Sequence, residues 1–276
     1  HGALDEAIAT AERVGADIII ASDPDADRCS AAIPTADGWR QLSGDEIGSI
    51  LGEQVASQTV AEGGSGRLAS SIVSSQLLEQ IAAHHGLDYS ATLTGFKWIA
   101  RAPEIIFGYE EAIGFCVHPE LVKDKDGVSA ALTITTAAAA KAEGHSLQDT
   151  LDELALRHGV YYTAPVTVRV DDLSIIPATM AKVRATPPTT LLGVPVARVE
   201  DLTQGSADLP PTDALRIVTE EGDRVIVRPS GTEPKVKCYL EVIVPVDSAD
   251  ELPQAKAAAA ERMERFKADV SEMLTL

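Results

Sequence analysis

The sequence predicts an α/β protein with a second, α+β part, and three observations carry that reading. Short β-branched runs alternate with stretches of helical periodicity from residue 3 to residue 158, the pattern of strands covered by helices. The texture changes at His158-Gly159, beyond which strands cluster with few helices between them. The length of 276 residues is enough for two domains of ordinary size, each with its own core.

Taken in order, residues 3–14 read as an amphipathic helix, with Leu4, Ala7, Ile8, Ala11 and Val14 on one face. Residues 17–21 read as a buried strand, Cys29 to Pro34 as another, and Gly38-Trp39-Arg40 as a turn and return strand. That opening segment is βαβ-like and too small to hold a core alone. A new segment starts at Ser43, with Ile47, Ile50, Leu51 and Val55 at helical spacing. Strands are expected at 68–74, 89–93 and 105–107, with helices at 75–85, 128–142 and 146–158. In the last part, 160–170 alternates as a strand and 174–185 reads as helix, while 186–195 is a Pro-rich loop and edge. Residues 214–219 and 223–227 form an expected hairpin, and 235–244 a long strand. Asp250 is placed to cap a final helix whose apolar face is Leu252, Ala255, Ala259, Met263, Phe266, Val270 and Met273. The domain division that follows is 1–42, 43–159 and 160–276.

Composition narrows the partners. The hydrophobic share is 45% and the charged share 24%, an ordinary globular balance. A net charge of −19 argues against nucleic acid or an anionic membrane, both of which need a basic face. Cys29, Cys116 and Cys238 are odd in number and far apart, so no disulfide framework is expected and a cytoplasmic setting is. No stretch approaches 18 consecutive apolar residues, so no membrane span is expected.

The densest chemistry lies in Ala21-Ser22-Asp23-Pro24-Asp25-Ala26-Asp27-Arg28. Asp23, Asp25 and Asp27 alternate in the loop leaving a strand's carboxyl end, where open α/β sheets place ligands. Three oxygen donors suit a hard cation such as Mg²⁺, and Arg28 adds a fixed positive fork. An EF-hand is excluded, because the sixth position is Arg28 rather than Gly and the twelfth Pro34 rather than Glu. An acidic surface turn and an aspartate-nucleophile phosphatase stay open on the loop alone.

A second constellation is Arg228-Pro229-Ser230-Gly231-Thr232-Glu233-Pro234-Lys235. Arg228 can grip a phosphate bidentately, Ser230 and Thr232 offer hydroxyls, and Gly231 lets the backbone come close. Lys235 and Lys237 add charge. Gly108-Tyr109-Glu110-Glu111-Ala112-Ile113-Gly114 places two carboxylates, Glu110 and Glu111, in a glycine-bounded loop, suited either to sugar hydroxyls or to a helix dipole. Lys97 and Arg101 follow Thr94-Gly95. Lys123-Asp124-Lys125-Asp126-Gly127 reads as a solvated turn capping the next helix, with a ligand role as the alternative.

In this order the segments DPDADR, TGFK, GYEEAIG, KDKDG and RPSGTEP resemble the α-D-phosphohexomutases, in particular the phosphoglucomutase and phosphopentomutase-like branch. The resemblance covers nearly the whole chain. It implies the tail of a second domain, a complete α/β third domain with a mixed sheet, and a C-terminal α+β domain like the TATA-binding protein. It implies Mg²⁺ on Asp23, Asp25 and Asp27, sugar hydroxyls on Glu110 with Glu111 beside it, and the substrate's non-transferred phosphate on Arg228, Ser230, Gly231 and Thr232. Arg28 and Lys97 would line the cleft. The implied reaction interconverts hexose 1-phosphate and hexose 6-phosphate, glucose first among the sugars, through a phosphoserine and a bisphosphorylated intermediate, with glucose 1,6-bisphosphate as activator. Mannose and pentose phosphates are alternatives, and Ala112 stands where several hexose-specific members carry Ser. The family's T-A-S-H-N-P-like phosphoserine loop does not occur in these 276 residues. The expectation is therefore an inactive C-terminal fragment whose partner is the missing N-terminal half, with a non-catalytic phosphosugar-binding protein as the alternative. Residues 1–42 are expected to pack on the segment beginning near Ser43 or to associate with another copy.

Overall fold

The computed structural model describes residues 2–140, 144–170, 172–230 and 234–275. They group into two compact units, His1–Leu154 and Ala155–Leu276. The first unit opens with helix α1 (Asp5–Val14), stopped by Gly15 in a left-handed conformation. Its apolar face, Leu4, Ala7, Ile8 and Ala11, packs with Ile19, Ala32 and Trp39. Strands β1 (Ile19–Ser22), β2 (Cys29–Thr35) and β3 (Gly38–Gln41) form an antiparallel meander in that order. This differs from the βαβ-like reading: the loop 23–28 is too short for the crossover that a parallel pair needs.

Helix α2 (Gly44–Ala61) begins with a capping box. The Ser43 hydroxyl accepts from the Glu46 amide, and the Glu46 carboxylate accepts from the Ser43 amide. There follow β4 (Arg67–Ser71), α3 (Leu77–His85), β5 (Asp88–Thr92), α4 (Phe96–Ile99), β6 (Ile105–Glu110), β7 (Gly114–Cys116), α5 (Gly127–Ala140) and α6 (Leu147–His158). The sheet order is β5-β4-β6-β7, parallel except for β7, so it is mixed, as expected. Its core is Leu68, Phe107, Tyr109 and Phe115 against Ile47, Ile50, Leu51, Leu78 and Ile81, all buried. The Phe107, Tyr109 and Phe115 rings stack in succession, with centroids 6.2 Å apart at each step. Residues 1–42 belong to the same compact unit. Arg40 of β3 donates to Glu46 of α2 and to Gln148 of α6, each at 2.7 Å.

The second unit contains β8 (Val160–Arg169), α7 (Ile175–Ala185), β9 (Thr190–Leu191), β10 (Val194–Asp201), β11 (Leu215–Thr219), β12 (Arg224–Pro229), β13 (Lys235–Val244) and α8 (Leu252–Leu274). Its six-stranded sheet runs β8-β13-β12-β11-β10-β9, antiparallel throughout. Helix α8 buries Leu252, Ala255, Ala259, Met263, Phe266, Val270 and Leu274, in one cluster with Val225, Val227, Cys238 and Leu240 of the sheet. Two details depart from the sequence reading. A 3₁₀ turn at Ala249–Glu251 precedes α8, whose cap position is Glu251, so Asp250 does not cap it. Strand β9 and the first two residues of β10 lie where a Pro-rich loop and edge were expected, and the rest of β10 was not read from the sequence. β10 is largely exposed, pairs outward only with the two-residue β9, and shifts register against β11 between Val196 and Arg198, so it lacks the clean alternation that marks a strand.

Phe266 is wholly buried beneath the sheet. Phe266→Ala should destabilise the second unit by about 3–5 kcal/mol, measured by denaturant unfolding followed through this unit's amide signals. A loss below about 1 kcal/mol would show that the helix–sheet core does not rest on this side chain.

Candidate metal and sugar site

The aspartate loop leaves the carboxyl end of β1. Its three carboxylates each bring an oxygen within 4.8 Å of the others. They are not equivalent. Asp23 accepts from the Arg28 backbone amide at 3.1 Å and from Arg28 Nε at 2.7 Å. Partial burial works against its charge, but the hydrogen bonds and charge of Arg28 outweigh this and hold its carboxyl below the usual carboxylate value. Asp25 is exposed. Asp27 Oδ2 meets Lys125 Nζ at 2.6 Å, whereas its Oδ1 is buried without a hydrogen bond, 3.7 Å from Arg28 Nε. The loop turns at Ala26, whose φ of 58° is left-handed, a conformation that costs a non-glycine residue about 1 kcal/mol or more. Three convergent carboxylates, one of which holds a buried oxygen without a hydrogen bond, fit a hard cation.

The turn after β6 lies beside this loop. Ile113, also left-handed at φ 59°, turns its carbonyl to accept from the Cys29 amide at 3.1 Å. The sugar-type turn is thereby tied to the strand that leaves the aspartate loop. The two adjacent carboxylates have different surroundings. Glu110 is half-buried: burial raises its pKa, while Lys125 and Arg28 pull it back. Glu111 instead accepts from the Ser71 hydroxyl at 3.1 Å and the Ser74 hydroxyl at 3.4 Å. Burial, reinforced by Asp45, pushes it up to about 7. Of the pair expected to face a sugar, Glu110 is the one directed toward the cations.

The KDKDG segment does more than turn in solvent. Asp126 accepts from the amides of Val128 and Ser129 at the start of α5, both at 3.2 Å, as a cap does. Lys125 pairs with Asp27, and that contact raises its pKa. A Cβ on Gly127 would lie 2.5 Å from the Arg28 carbonyl oxygen and 2.6 Å from that of Ala26. Only glycine allows the two backbones to approach this closely. Sequence reasoning missed both residues as parts of the site. The available signal was a lysine and a glycine beside acidic residues in a chain of net charge −19.

The remaining candidates lie elsewhere. Lys97 is exposed on the short α4, with its ammonium 5.7 Å from the Trp98 ring centroid. In the second unit, Arg228 sits on β12 opposite Lys237 of β13, and Lys235 opposite Arg169 of β8. Four cations thus occupy neighbouring register positions. The Ser230 amide donates to the Lys235 carbonyl at 2.9 Å. Gly231 and Thr232 lie outside the described residues. Arg169 was not singled out in the sequence, because only strand register brings it beside Lys235.

Two family profiles match this chain: "Phosphoglucomutase/phosphomannomutase, alpha/beta/alpha domain III" over residues 43–157 and "Phosphoglucomutase/phosphomannomutase, C-terminal domain" over residues 166–272. A protein named probable phosphomannomutase from Haemophilus influenzae is 43% identical over 242 residues, covering 87% of this chain and 49% of that protein. A phosphoglucomutase of Staphylococcus epidermidis is 34% identical, covering 88% and 48%. The chain spans about half the length of the curated relatives it matches. Among solved structures, parafusin, a phosphoglucomutase from Paramecium, superposes with a TM-score of 0.68 at 19% identity, covering 94% of this chain and 46% of that one. A Burkholderia thailandensis protein of the phosphoglucomutase/phosphomannomutase family gives 0.65 at 17%, covering 98% and 50%. These structural likenesses show a shared fold.

Gly127→Ala would force apart two backbones in contact. It should destabilise the first unit by about 1–3 kcal/mol and shift the amide resonances of Ala26 to Cys29. Unchanged resonances and stability would show that the two segments do not pack as described.

Proposed function

The chain belongs to the phosphoglucomutase/phosphomannomutase family, and from that premise we propose that its residues serve a phosphosugar mutase. The proposed reaction interconverts hexose 1-phosphate and hexose 6-phosphate, with glucose as the preferred sugar. The observation that carries this reading is the junction of the aspartate loop, the Glu110 turn and Lys125. Asp23, Asp25 and Asp27 would hold Mg²⁺, and the buried Asp27 oxygen that receives no hydrogen bond supports that role. When bound, the ion would neutralise charge developing on a transferring phosphoryl group. Glu110 accepts hydrogen bonds from sugar hydroxyls. Glu111, held by Ser71 and Ser74, supports it from behind. Arg28 fixes Asp23, and Lys97 is a supporting cation. In the second unit Arg228, Ser230, Gly231 and Thr232 take the phosphate that is not transferred.

Further parts of the proposal concern context. The nucleophilic serine is not supplied by these 276 residues, so the chain alone binds without turnover. Its partners are the phosphosugar and a segment carrying that serine, with glucose 1,6-bisphosphate as activator. The domain division remains 1–42, 43–159 and 160–276, and the setting is cytoplasmic. No helix among the described residues is long and apolar enough to cross a membrane. Mannose phosphate is the second reading, favoured by the name of the 43% identical relative.

Arg228→Ala should weaken binding of glucose 1-phosphate or inorganic phosphate about tenfold or more, since a charge-assisted bidentate contact contributes about 1.5–3 kcal/mol. Equal affinity of the two proteins by calorimetry would remove Arg228 from the phosphate site. The function itself is tested by a coupled assay of glucose 1-phosphate isomerisation with Mg²⁺ and glucose 1,6-bisphosphate. The 276-residue chain should be silent, and the natural protein containing these residues should turn over at about 1 s⁻¹ or faster. Turnover by the chain alone would reveal an unrecognised nucleophile. Release of inorganic phosphate without isomerisation would establish a phosphatase instead.

A further inference from the structure

One buried carboxyl group has no direct part in the reaction proposed above. Glu111 lies one residue beyond Glu110, and its side chain enters the interior of the first unit. Its Oε2 accepts from Ser71 Oγ at 3.1 Å and Ser74 Oγ at 3.4 Å, and those hydroxyls lie 2.8 Å apart. The Glu111 amide donates to Ser74 Oγ at 3.1 Å. Ser71 ends β4 and Ser74 lies in the turn before α3, so one residue joins the β6 turn to the β4 end by both main chain and side chain. On the other side, a Cβ on Gly44 would lie 2.0 Å from the Glu111 carbonyl oxygen, which shows how closely the turn is seated on the start of α2.

The groups facing this carboxyl make its ionisation unfavourable. From α2 comes Asp45, itself buried, which accepts from the Ser75 amide at 2.7 Å and from Tyr109 Oη at 2.9 Å. From β6 come Tyr109 and, adjoining it, Glu110. The β4 end and the turn before α3 offer serine hydroxyls, Ser71 and Ser74. Burial first, then Asp45, raises the Glu111 pKa to about 7.

We propose that Glu111 is a positioning residue: its carboxyl, held by Ser71 and Ser74, clamps the turn that presents Glu110 and, through the Ile113 carbonyl, the strand leaving the aspartate loop. The proposal rests on Glu110 being the sugar-facing carboxylate. The clamp acts at two places at once. Glu110 precedes Glu111 directly, and the Ile113 carbonyl accepts from the Cys29 amide at 3.1 Å, one residue past Arg28. Loosening of Glu111 therefore reaches both the sugar carboxylate and the metal loop without any contact to either ligand.

The sign of the pH dependence follows from linkage. A carboxyl titrating near 7 when clamped and near its ordinary value of about 4.3 when released favours the clamped turn at low pH. That preference declines as pH rises toward 7, as the released form ionises first. By pH 8 the clamped turn should open about tenfold more often than at pH 6.

The test is amide hydrogen exchange on the 276-residue chain without ligand, corrected for intrinsic rate, at pH 6 and pH 8. The reporters are Cys29, which donates to Ile113, and Glu111, which donates to Ser74. Wild type should lose about tenfold of its protection at pH 8. Glu111→Gln, which mimics the neutral acid, should stay protected at both pH values. Glu111→Ala should be unprotected at both. Glu110→Gln should behave as wild type, which separates this claim from the sugar-binding role of Glu110. Equal wild-type protection at both pH values, or a Gln variant that loses protection as wild type does, would overturn the proposal.

Discussion

Three carboxylates whose oxygens lie within 4.8 Å of one another must be neutralised before anything can be built around them. Two like charges 4 Å apart cost about 1 kcal/mol in water and about 4 near a protein surface. In this fold the balancing charges come from different places. Arg28 comes from the loop itself. Lys125 comes from a segment nearly a hundred residues away in sequence, between β7 and α5. That second cation lies two residues from Gly127, where the two segments are in backbone contact, and it joins the Arg40 and Cys29 hydrogen bonds in linking residues 1–42 to the α/β layer that follows them. Asp27 Oδ1, 3.7 Å from Arg28 Nε but without a hydrogen bond, is where a metal would complete the balance.

The rest of the first unit holds these loops in place. The capping box at Ser43 and Glu46 fixes the start of α2, and Glu46 also receives Arg40 from β3. Asp45, one residue earlier, receives Tyr109 from β6 and the Ser75 amide from the β4–α3 turn. The apolar stack of Phe107, Tyr109 and Phe115 sets the height of β6 and β7, and so of the turn between them. Packing of the core thus determines where Glu110 points, and charge pairing determines where the aspartate loop meets it.

Much of this was legible in the sequence where the signal is local. The run Ile18–Ile20 followed by alternating aspartates marks a strand end and an acidic loop, and β1 with its loop stands there. The face of α8 was readable from its spacing because one sheet covers it. Signals that arise only in three dimensions were not readable. Nothing local distinguishes Lys125 from the other charges of its turn. Glu110 and Glu111 are adjacent and identical, and their surroundings part only in three dimensions, with Ser71 and Ser74 on Glu111 and Lys125 and Arg28 near Glu110. Strand β10 escaped notice because its exposed position and a register shift at Val196 remove the alternation that burial would impose. Arg169 reaches Lys235 through a register that no single strand encodes.

The central claim is that one cation site is formed by Asp23, Asp25 and Asp27 against the Lys125 and Ile113 segments. Titrating the 276-residue chain with Mn²⁺, a paramagnetic stand-in for the hard cation, and following amide broadening by NMR tests it directly. Broadening should centre on Ala26 to Cys29, Ile113, Gly114 and Lys125, and should vanish in Asp25→Asn. Broadening centred on other acidic residues, or unchanged in that variant, would contradict the account.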